Sequence, residues 1–425
     1  MTDVRPFRAL RYDPDRIDLS LVVVPPYDVI SPDERRAYWE GDPHCAIRLI
    51  LTKDAGSEAA ADYRDVADTL DAWRREGALI RDEKPALYGL RQRFRAPDGT
   101  ELVREAFFAA LRIEDYEQRV VRPHERTMTG PKADRLKLLR ATKTNLSSIF
   151  LLYEDPDDKL AALLSPAFAA GPAWSATDSA GIEHRLTRID DPALVEAVQR
   201  FLADRPVVIA DGHHRYETAQ AYRDARRAEE PGAGPDAPFE FTLGCFANAY
   251  APGSLLLPIH RVIPDARMPD DSIFEARLPG WSETRVEVAD AEAVVAALAE
   301  HLAPLAARPC FALEDGSGTL RIFLRGEGVP GDLAIRVVHR EVVGGVFGLD
   351  EDAVRGGAIR YAKGTLQAAR DVRENGGVVL YVNPLSPDDV FRVTGAGEIL
   401  PQKSTFFVPK LPTGLVFRPL SDDGE

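Results

Sequence analysis

One short segment of the sequence combines residue types that suit phosphate chemistry. The motif Asp211-Gly-His-His-Arg directly follows the apolar run Val207–Ala210. We predict a buried strand, a glycine turn and then a helix, whose first amides lack internal partners and carry the positive end of the helix dipole. Such a turn binds phosphate readily. Arg215 can contact two phosphate oxygens, and His213 and His214 can donate hydrogen bonds to others.

The first two residues of this motif complete the hypothesis. Gly212 makes the turn, and we include it among the predicted phosphate-binding residues. Asp211 can coordinate a magnesium ion or orient one of the imidazoles. The structural alternative is that Asp211 only caps the helix, that the histidines pack, and that Arg215 pairs with Glu217 or Glu229. Two of the chain's eight histidines are adjacent here, at a strand exit, which favours a functional site.

The distribution of charge also points to an anionic ligand. The 425 residues carry a formal net charge of −15, but segment 119–143 holds eight cations against two anions, a local balance of +6. Lysine is rare, with nine copies against 44 arginines, yet three lysines lie in this segment and two in the tail 401–420, which has no acidic residue. A nucleotide would explain both basic segments. A solvated helix face is the alternative for the first of them.

Particular cations in these two segments are candidate ligands. We predict that Lys132 and Arg135 from the first segment, and Lys403 from the tail, contribute to phosphate binding. Lys132 and Lys403 could neutralise charge that develops on a transferring phosphoryl group.

A candidate general base lies at the start of the first basic segment. In Arg122-Pro-His-Glu-Arg-Thr, the carboxylate of Glu125 is surrounded by cations, which favours its ionised form. Such a carboxylate could deprotonate a substrate hydroxyl during attack on phosphorus. His124 is the second candidate for this role. Either residue could instead belong to a structural ion pair.

Composition limits the class of protein. Hydrophobic residues make up 45% and charged residues 28%, as in a globular protein with a core. The acidic total charge disfavours nucleic acid as a partner. The three cysteines are widely spaced, no apolar run approaches membrane-spanning length, and the N-terminus lacks a secretory pattern. We therefore expect a cytoplasmic protein without a membrane partner.

Strand and helix signals alternate without a regular βαβ period, which predicts a mixed α/β fold with mixed sheets. Leu21–Val24 and Ala46–Leu51 are predicted as strands. Ser31-Pro-Asp-Glu predicts a helix start with a capping box. Segments 86–94 and 102–111 are predicted to form a hairpin across Asp98-Gly99.

The pattern loosens near residues 264–275 and then begins again, which predicts two domains. We place a catalytic, nucleotide-binding region at 1–268 and a C-terminal α/β domain at 269–425. The second domain has no catalytic constellation of its own. We expect a scaffold or a dimerisation domain there, which would make the chain a homodimer, with a tail that returns toward the site.

Several motifs together resemble a bacterial and archaeal family known as domain of unknown function 1015. The resemblance extends from about residue 22 to about residue 416. It rests on five segments, namely Val24-Pro-Pro-Tyr-Asp-Val-Ile-Ser, Arg122-Pro-His-Glu-Arg-Thr, Ile209-Ala-Asp-Gly-His-His-Arg-Tyr-Glu-Thr-Ala, Leu257-Pro-Ile-His-Arg and Lys403-Ser-Thr-Phe-Phe-Val-Pro-Lys-Leu.

The motif Asp211–Arg215 by itself also resembles the signature of ParB/sulfiredoxin-like nucleotide-binding proteins, which include a free-serine kinase. This resemblance implies a ParB/sulfiredoxin-like nucleotide-binding core in the N-terminal region. It also implies that the motif holds nucleotide phosphates while a separate glutamate acts as base on the serine hydroxyl. Our choice of Glu125 as that base rests on its charge and position, not on a motif match.

These observations favour a phosphotransferase that uses ATP or ADP with magnesium and a small hydroxyl metabolite, such as free serine, or that runs in reverse from phosphoserine to ADP. No Gly-x-x-x-x-Gly-Lys-Ser/Thr motif is present, which disfavours a P-loop kinase. The first alternative is a metal-dependent hydrolase that uses Asp211, His213 and His214 with His124 or His260. The second is a nucleotide-binding regulator without turnover.

Overall fold

The computed structural model describes residues 1–54, 56, 61–125, 130–326, 332–401 and 403–420, without the side chains of 130–132. The chain divides into two compact units. The first comprises residues 1–255, 393–399 and 409–425, and the second comprises residues 256–392 and 400–408. We predicted a boundary near residue 268. The first unit ends at Leu255 and also includes two segments from the C-terminal part of the chain.

A mixed sheet of nine strands organises the first unit. Its strands are β1 (Val4–Arg5), β2 (Leu87–Arg95), β3 (Glu101–Arg112), β4 (Val121–Arg122), β5 (Ile149–Tyr153), β6 (Trp174–Thr177), β7 (Glu183–Ile189), β8 (Val207–Asp211) and β9 (Phe241–Asn248). Their order is β4–β8–β5–β9–β3–β2–β7–β6, with β1 paired to β3. Strand β8 is parallel to β4, and β9 is parallel to β5, while the other neighbours are antiparallel.

Helices cover the faces of this sheet. They are α1 (Leu19–Val22), α2 (Pro32–Glu40), α3 (Ile47–Ile50), α4 (Arg64–Arg75), α5 (Gly130–Thr142), α6 (Lys159–Ala169), α7 (Pro192–Ala203) and α8 (His213–Glu229). Phe107, Leu151 and Phe246 on one face form a single core with side chains from α6, α7 and α8, such as Leu164 and Leu202. Since side chains alternate along a strand, the neighbours of these core residues in sequence face the opposite side. The mixed α/β fold class is confirmed.

Several local predictions are confirmed. Helix α2 begins with the capping box, in which the Ser31 side chain accepts from the amide of Glu34 and the Glu34 carboxylate accepts from the amide of Ser31. Strands β2 and β3 form the hairpin, and Gly99 in its turn has a φ of 87°, a conformation that favours glycine. Each of these features depends on residues that are close in sequence.

Two strand predictions are wrong. Residues Leu19–Val22 form a helical turn, because the carboxylate of Asp18 accepts from the amide of Ser20 and closes the turn. Residues Ile47–Ile50 form another helical turn, and not the strand predicted for Ala46–Leu51. Short apolar runs fit a buried helical turn as well as a buried strand, so their hydrophobicity alone does not decide between them.

The second unit contains a six-stranded sheet. Its strands are β10 (His260–Ile263), β11 (Trp281–Glu287), β12 (Cys310–Glu314), β13 (Thr319–Arg325), β14 (Arg360–Ala362) and β15 (Val378–Tyr381), in the order β11–β13–β12–β15–β10–β14. All of these neighbours are antiparallel. The helices are α9 (Asp271–Arg277), α10 (Ala291–Ala297), α11 (Ala334–Val338), α12 (Glu351–Arg355), α13 (Thr365–Asn375) and α14 (Pro387–Gly395), the last of which ends in the first unit.

Short paired segments complete the structure. Residues Leu10–Tyr12 pair with Leu79–Arg81, and Thr144–Asn145 pair with Arg418–Pro419, which joins the end of the described chain to the first unit. Within the described residues, no helix combines the length and the apolar character that a bilayer crossing requires.

Candidate functional site

The predicted strand–turn–helix is present in the first unit. Strand β8 ends at Asp211, Gly212 follows with φ 94° and ψ 29°, and α8 begins at His213. This left-handed conformation favours glycine. A Cβ atom on Gly212 would also lie only 2.9 Å from Nε of Arg215, which folds back over the turn. The motif therefore needs glycine for both its backbone conformation and its packing.

Two cations converge on the carboxylate of Asp211. Nη2 of Arg215 donates to Oδ2 at 2.5 Å, and Nζ of Lys410 donates to Oδ1. The side chains of Asp211, Arg215 and Lys410 are only 15%, 12% and 21% exposed. Burial opposes the ionisation of Asp211, but the charges of Lys410 and Arg215 outweigh it and lower its pKa to about 2. The carboxylate is therefore ionised at neutral pH, and the group of three carries a net positive charge.

Lys410 is the site residue that sequence analysis missed. It lies 199 residues from Asp211 in the chain and reaches it from the C-terminal segment of the first unit. The scarcity of lysine and the absence of acids in the tail indicated this segment, but we selected Lys403. Lys403 is exposed and belongs to the second unit, where its carbonyl oxygen accepts from Nη2 of Arg261 at 3.4 Å. Its role in phosphate binding stays a prediction.

His124 and His213 lie together at the carboxyl end of the parallel strands β4 and β8. Their rings meet edge to face with centroids 4.6 Å apart. Nδ1 of His124 lies 2.5 Å from the carbonyl oxygen of Ile209, so that nitrogen carries the proton. The amide of His124 donates to Nε2 of His213 at 3.4 Å. The proton of a neutral His213 is therefore on Nδ1.

Both of these histidines are held in the neutral form. Burial lowers the pKa of His213 well below 6.5, and the nearby ring of His124 adds to the effect. Burial likewise lowers the pKa of His124, although the charge of Glu125 opposes it. At neutral pH, His213 can donate one hydrogen bond from Nδ1 without carrying a charge.

Glu125 lies beside His124, as its place in the sequence requires. Its Oε1 is 3.9 Å from Nε2 of His124, and its side chain is 24% exposed, whereas that of His124 is 1% exposed. The carboxylate is therefore the more accessible of the two candidate bases. Residues 126–129 and the side chain of Lys132 lie outside the described residues, and the role of Lys132 in phosphate binding stays a prediction.

Two other predicted ligands have different surroundings. Nε2 of His214 is buried and finds no hydrogen-bond partner among the described residues. Arg135 is 8% exposed, and its guanidinium donates to Asp134 at 2.5 Å and to the carbonyl oxygen of Ile50 at 2.6 Å. It also lies 4.7 Å from the ring centroid of Tyr27. These contacts fix Arg135 in place, and its predicted contact with phosphate stays a prediction.

A pocket lies next to Arg215 in the first unit. Its apolar part consists of four aliphatic side chains, Ile50, Leu138, Leu139 and Leu146. The remaining lining is aromatic, polar or cationic and comprises Tyr27, Arg135, Thr144, Asn145, Ser147, Arg215, Thr218 and Thr242. A cleft that combines apolar side chains with polar groups is a common form of small-molecule site.

The surroundings of Asp211 do not favour a metal ion. Each of its two carboxylate oxygens accepts a hydrogen bond from a cationic side chain. A magnesium ion would have to displace these cations, and it prefers several oxygen ligands. Among the described residues, no group of three histidine, cysteine, aspartate or glutamate side chains is placed to hold a metal. The donor set around Asp211 therefore does not fit a metal centre.

Comparison with known proteins identifies a family. The protein-family model described as "Protein of unknown function (DUF1015)" matches residues 4–307. No curated protein matches the chain. A free serine kinase mutant in complex with ADP has 12% identity, a TM-score of 0.34, and coverage of 70% of this chain and 89% of that chain.

Two further solved structures are similar to the same degree. A conserved hypothetical protein from Pyrococcus furiosus has 13% identity and a TM-score of 0.33, with coverage of 70% of this chain and 92% of that chain. SbnI with a C-terminal truncation, from Staphylococcus aureus, has 12% identity and a TM-score of 0.34, with coverage of 75% and 90%. Similarity at this level carries no argument about what the present chain binds.

Proposed function

We propose that this chain, which belongs to the DUF1015 family, is a phosphotransferase that moves phosphate between ATP or ADP and a small hydroxyl metabolite. Free serine is the acceptor that the motif resemblance suggests, and the reverse reaction, from phosphoserine to ADP, uses the same groups. The observation that carries the proposal is the convergence of Arg215 and Lys410 on Asp211 at the first turn of α8.

This arrangement suits a phosphate group for two reasons. Two cations share one carboxylate, so the group keeps a net positive charge in a largely buried place, where electrostatic attraction is stronger than in water. The start of α8 adds amide donors and the positive end of a helix dipole. Nδ1 of His213 supplies one more donor. We therefore place the nucleotide phosphates above Gly212.

The neighbouring pocket, about 60 Å³ in volume, is the proposed place for the rest of the nucleotide and must widen to admit a purine base. Its aliphatic side chains, among them Leu138 and Leu146, can pack against the faces of a purine base. Arg215 also lines this pocket, so a nucleoside bound there extends its phosphates toward the start of α8. We propose that adenosine occupies the pocket.

The acceptor would react on the side of Glu125. The hydroxyl oxygen of the acceptor attacks the terminal phosphorus of the nucleotide. The bond from that phosphorus to the bridging oxygen breaks, and the shortened nucleotide leaves. Glu125 takes the hydroxyl proton as the new bond forms. Arg215, Lys410 and His213 stabilise the negative charge on the phosphate oxygens.

Magnesium stays in the proposal only as a companion of the nucleotide phosphates. We do not assign it to Asp211, because both oxygens of that carboxylate are bonded to cations. The predicted homodimer and the cytoplasmic location also stay predictions.

Phosphorus NMR tests the proposed reaction. The purified protein is incubated with magnesium and ATP or ADP and a pool of hydroxyl amino acids and hydroxy acids, and in reverse with phosphorylated compounds and ADP. We expect a new phosphoester resonance that disappears in Arg215→Met and in Glu125→Gln. The control Arg200→Met removes an exposed arginine and should retain the resonance. Nucleotide binding with no transfer in any mixture would indicate a regulator. The absence of both nucleotide binding and phosphate transfer would refute the proposal.

A further inference from the structure

A further buried cation of the first unit lies outside the phosphate-binding motif. Arg104, on β3, has no exposed surface. Its Nε donates to Oε1 of Gln92 at 2.9 Å, and Nη2 donates to the same oxygen. Its guanidinium lies 4.5 Å from the ring centroid of Phe150. Nη1 of Arg104 is buried and has no hydrogen-bond partner among the described residues.

Arg104 also has no carboxylate partner among the described residues. None of the described acidic side chains forms an ion pair with it, in contrast to Arg223, which is 3% exposed and pairs with Asp115 at 2.7 Å and Asp224 at 2.8 Å. Removing a charge from water without a counter-ion is costly. Burial lowers the pKa of Arg104 to about 10, which is still well above neutral pH, so the side chain is charged. Arg104 is thus a buried guanidinium without a carboxylate partner among the described residues.

A line of buried polar side chains holds this guanidinium in one orientation. Because Oε1 of Gln92 accepts from Arg104, its Nε2 donates to Nδ1 of His184 at 3.1 Å. Nε2 of His184 then carries the proton and donates to Asp178 at 2.9 Å. Strands β3, β2 and β7 place the first three of these residues in register, with Arg104 opposite Gln92 and Gln92 opposite His184. These contacts fix the orientation of Arg104.

Arg104 faces the same side of the sheet as the candidate site. Phe150 on β5 is the direct partner of Asp211 on β8, and directly opposed residues in a sheet point to the same face. The guanidinium of Arg104 lies against the ring of Phe150. The charge of Asp211 also acts on Arg104, after the larger effect of burial. Asp211 is itself engaged by Arg215 and Lys410, so it does not serve as the counter-ion of Arg104.

We infer that Arg104 binds the carboxylate of the phosphate acceptor, which would therefore be a small hydroxy acid or hydroxy amino acid. This inference rests on the proposed phosphotransfer and narrows its substrate class. A water molecule could accept from Nη1, but it would leave the positive charge uncompensated. A carboxylate supplies both the acceptor and the charge, and hydrogen bonds between guanidinium and carboxylate are among the stronger ones in proteins.

Formate, the smallest carboxylate, is the probe for this site. Line broadening of ¹³C-formate is measured as the protein is titrated, with neutral formamide as the control ligand. We expect saturable broadening for the wild type, its loss in Arg104→Gln, and no broadening of formamide. Arg93→Gln is the matched control, because Arg93 lies on the neighbouring strand β2 but is 52% exposed and paired with Glu101. It should bind formate like the wild type.

A second variant covers the case in which Arg104→Gln does not fold. Gln92→Glu keeps Arg104 and places a carboxylate beside it, so the side chain gains an internal counter-ion. We expect this variant to lose formate binding and to melt at a higher Tm than the wild type. Unchanged formate binding in Gln92→Glu would overturn the inference, as would unchanged binding in Arg104→Gln or the absence of saturable binding to the wild type.

Titration of the same samples with ADP distinguishes a failure of the proposed phosphotransfer from a failure of the carboxylate site at Arg104. If formate binding depends on Arg104 but ADP does not bind, the proposed phosphotransfer fails and the carboxylate site stands. If ADP binds and formate binding ignores Arg104, the inference about the acceptor fails and the proposed function stands.

Discussion

Replacing Arg215 by methionine should weaken both folding and nucleotide binding. Methionine keeps much of the length of the side chain but removes the hydrogen bonds to Asp211 and to the carbonyl oxygen of Ser148. Asp211 would then keep Lys410 as its remaining cationic partner. Because the side chains are only 12% and 15% exposed, solvent compensates little for the lost ion pair.

The size of the effect follows from the pKa of Asp211. Its fall from 3.8 to about 2 corresponds to roughly 2 kcal/mol of net stabilisation of the carboxylate. Removing one of two cations, together with the hydrogen bond to Ser148, should therefore lower the free energy of unfolding by about 2 kcal/mol. A hydrogen bond to a charged group contributes about 1.5–3 kcal/mol, so ADP should bind roughly 10- to 150-fold more weakly.

Urea denaturation and isothermal titration with ADP measure these two quantities. Arg200→Met is the matched control, because Arg200 and Glu196 form an ion pair with the same four-residue spacing but are 73% and 68% exposed. It should change the free energy of unfolding by less than about 1 kcal/mol and leave ADP affinity unchanged. An ADP affinity of folded Arg215→Met within twofold of the wild type would refute the assignment of Arg215 to the phosphates.

Three further predictions concern other residues. Lys410→Met should weaken ADP binding by roughly 10-fold or more, measured by titration, whereas Lys159→Met, which removes an exposed lysine paired with Asp157, should not. Glu125→Gln should slow phosphate transfer by roughly 10²- to 10⁴-fold with unchanged ADP affinity, and normal transfer rates would exclude Glu125 as the base. Burial lowers the pKa of His260 to about 3 and of His339 to about 4, so the unfolded chain takes up protons first as pH falls below about 6.5, and stability should fall. Between about pH 7.5 and 5.5 the free energy of unfolding should fall by about 1 kcal/mol for each histidine. Urea denaturation of a His260→Gln/His339→Gln variant should show a flatter pH dependence, whereas an unchanged slope would contradict the burial of these rings.

The local part of the candidate site could be predicted from the sequence. An apolar run, a glycine and a polar helix start are sufficient to place Asp211, Gly212 and Arg215 on a strand–turn–helix, because each depends on residues close in the chain. The capping box at Ser31 and the turn at Gly99 were predictable for the same reason. These are features in which local interactions and the final structure agree.

Contacts between distant segments were not predictable in the same way. The lysines of the tail indicated a basic segment, but its position depends on pairings with distant parts of the chain, such as Thr413 with Val24 and Arg418–Pro419 with Thr144–Asn145. Lys410, which contacts Asp211, has no local motif that distinguishes it from Lys403. Arg104 gave no signal either, because a lone arginine in a strand usually lies at the surface, and its burial appears only when β2, β3 and β5 assemble.

A crystal structure of the complex with ADP would test the central claim most directly. The account predicts phosphate oxygens within hydrogen-bonding distance of Nδ1 of His213 and the guanidinium of Arg215, with the adenine ring against Leu138 and Leu146. ADP bound elsewhere, or a site around Asp211 that stays without nucleotide at saturating ADP, would contradict the assignment of this motif to phosphate binding.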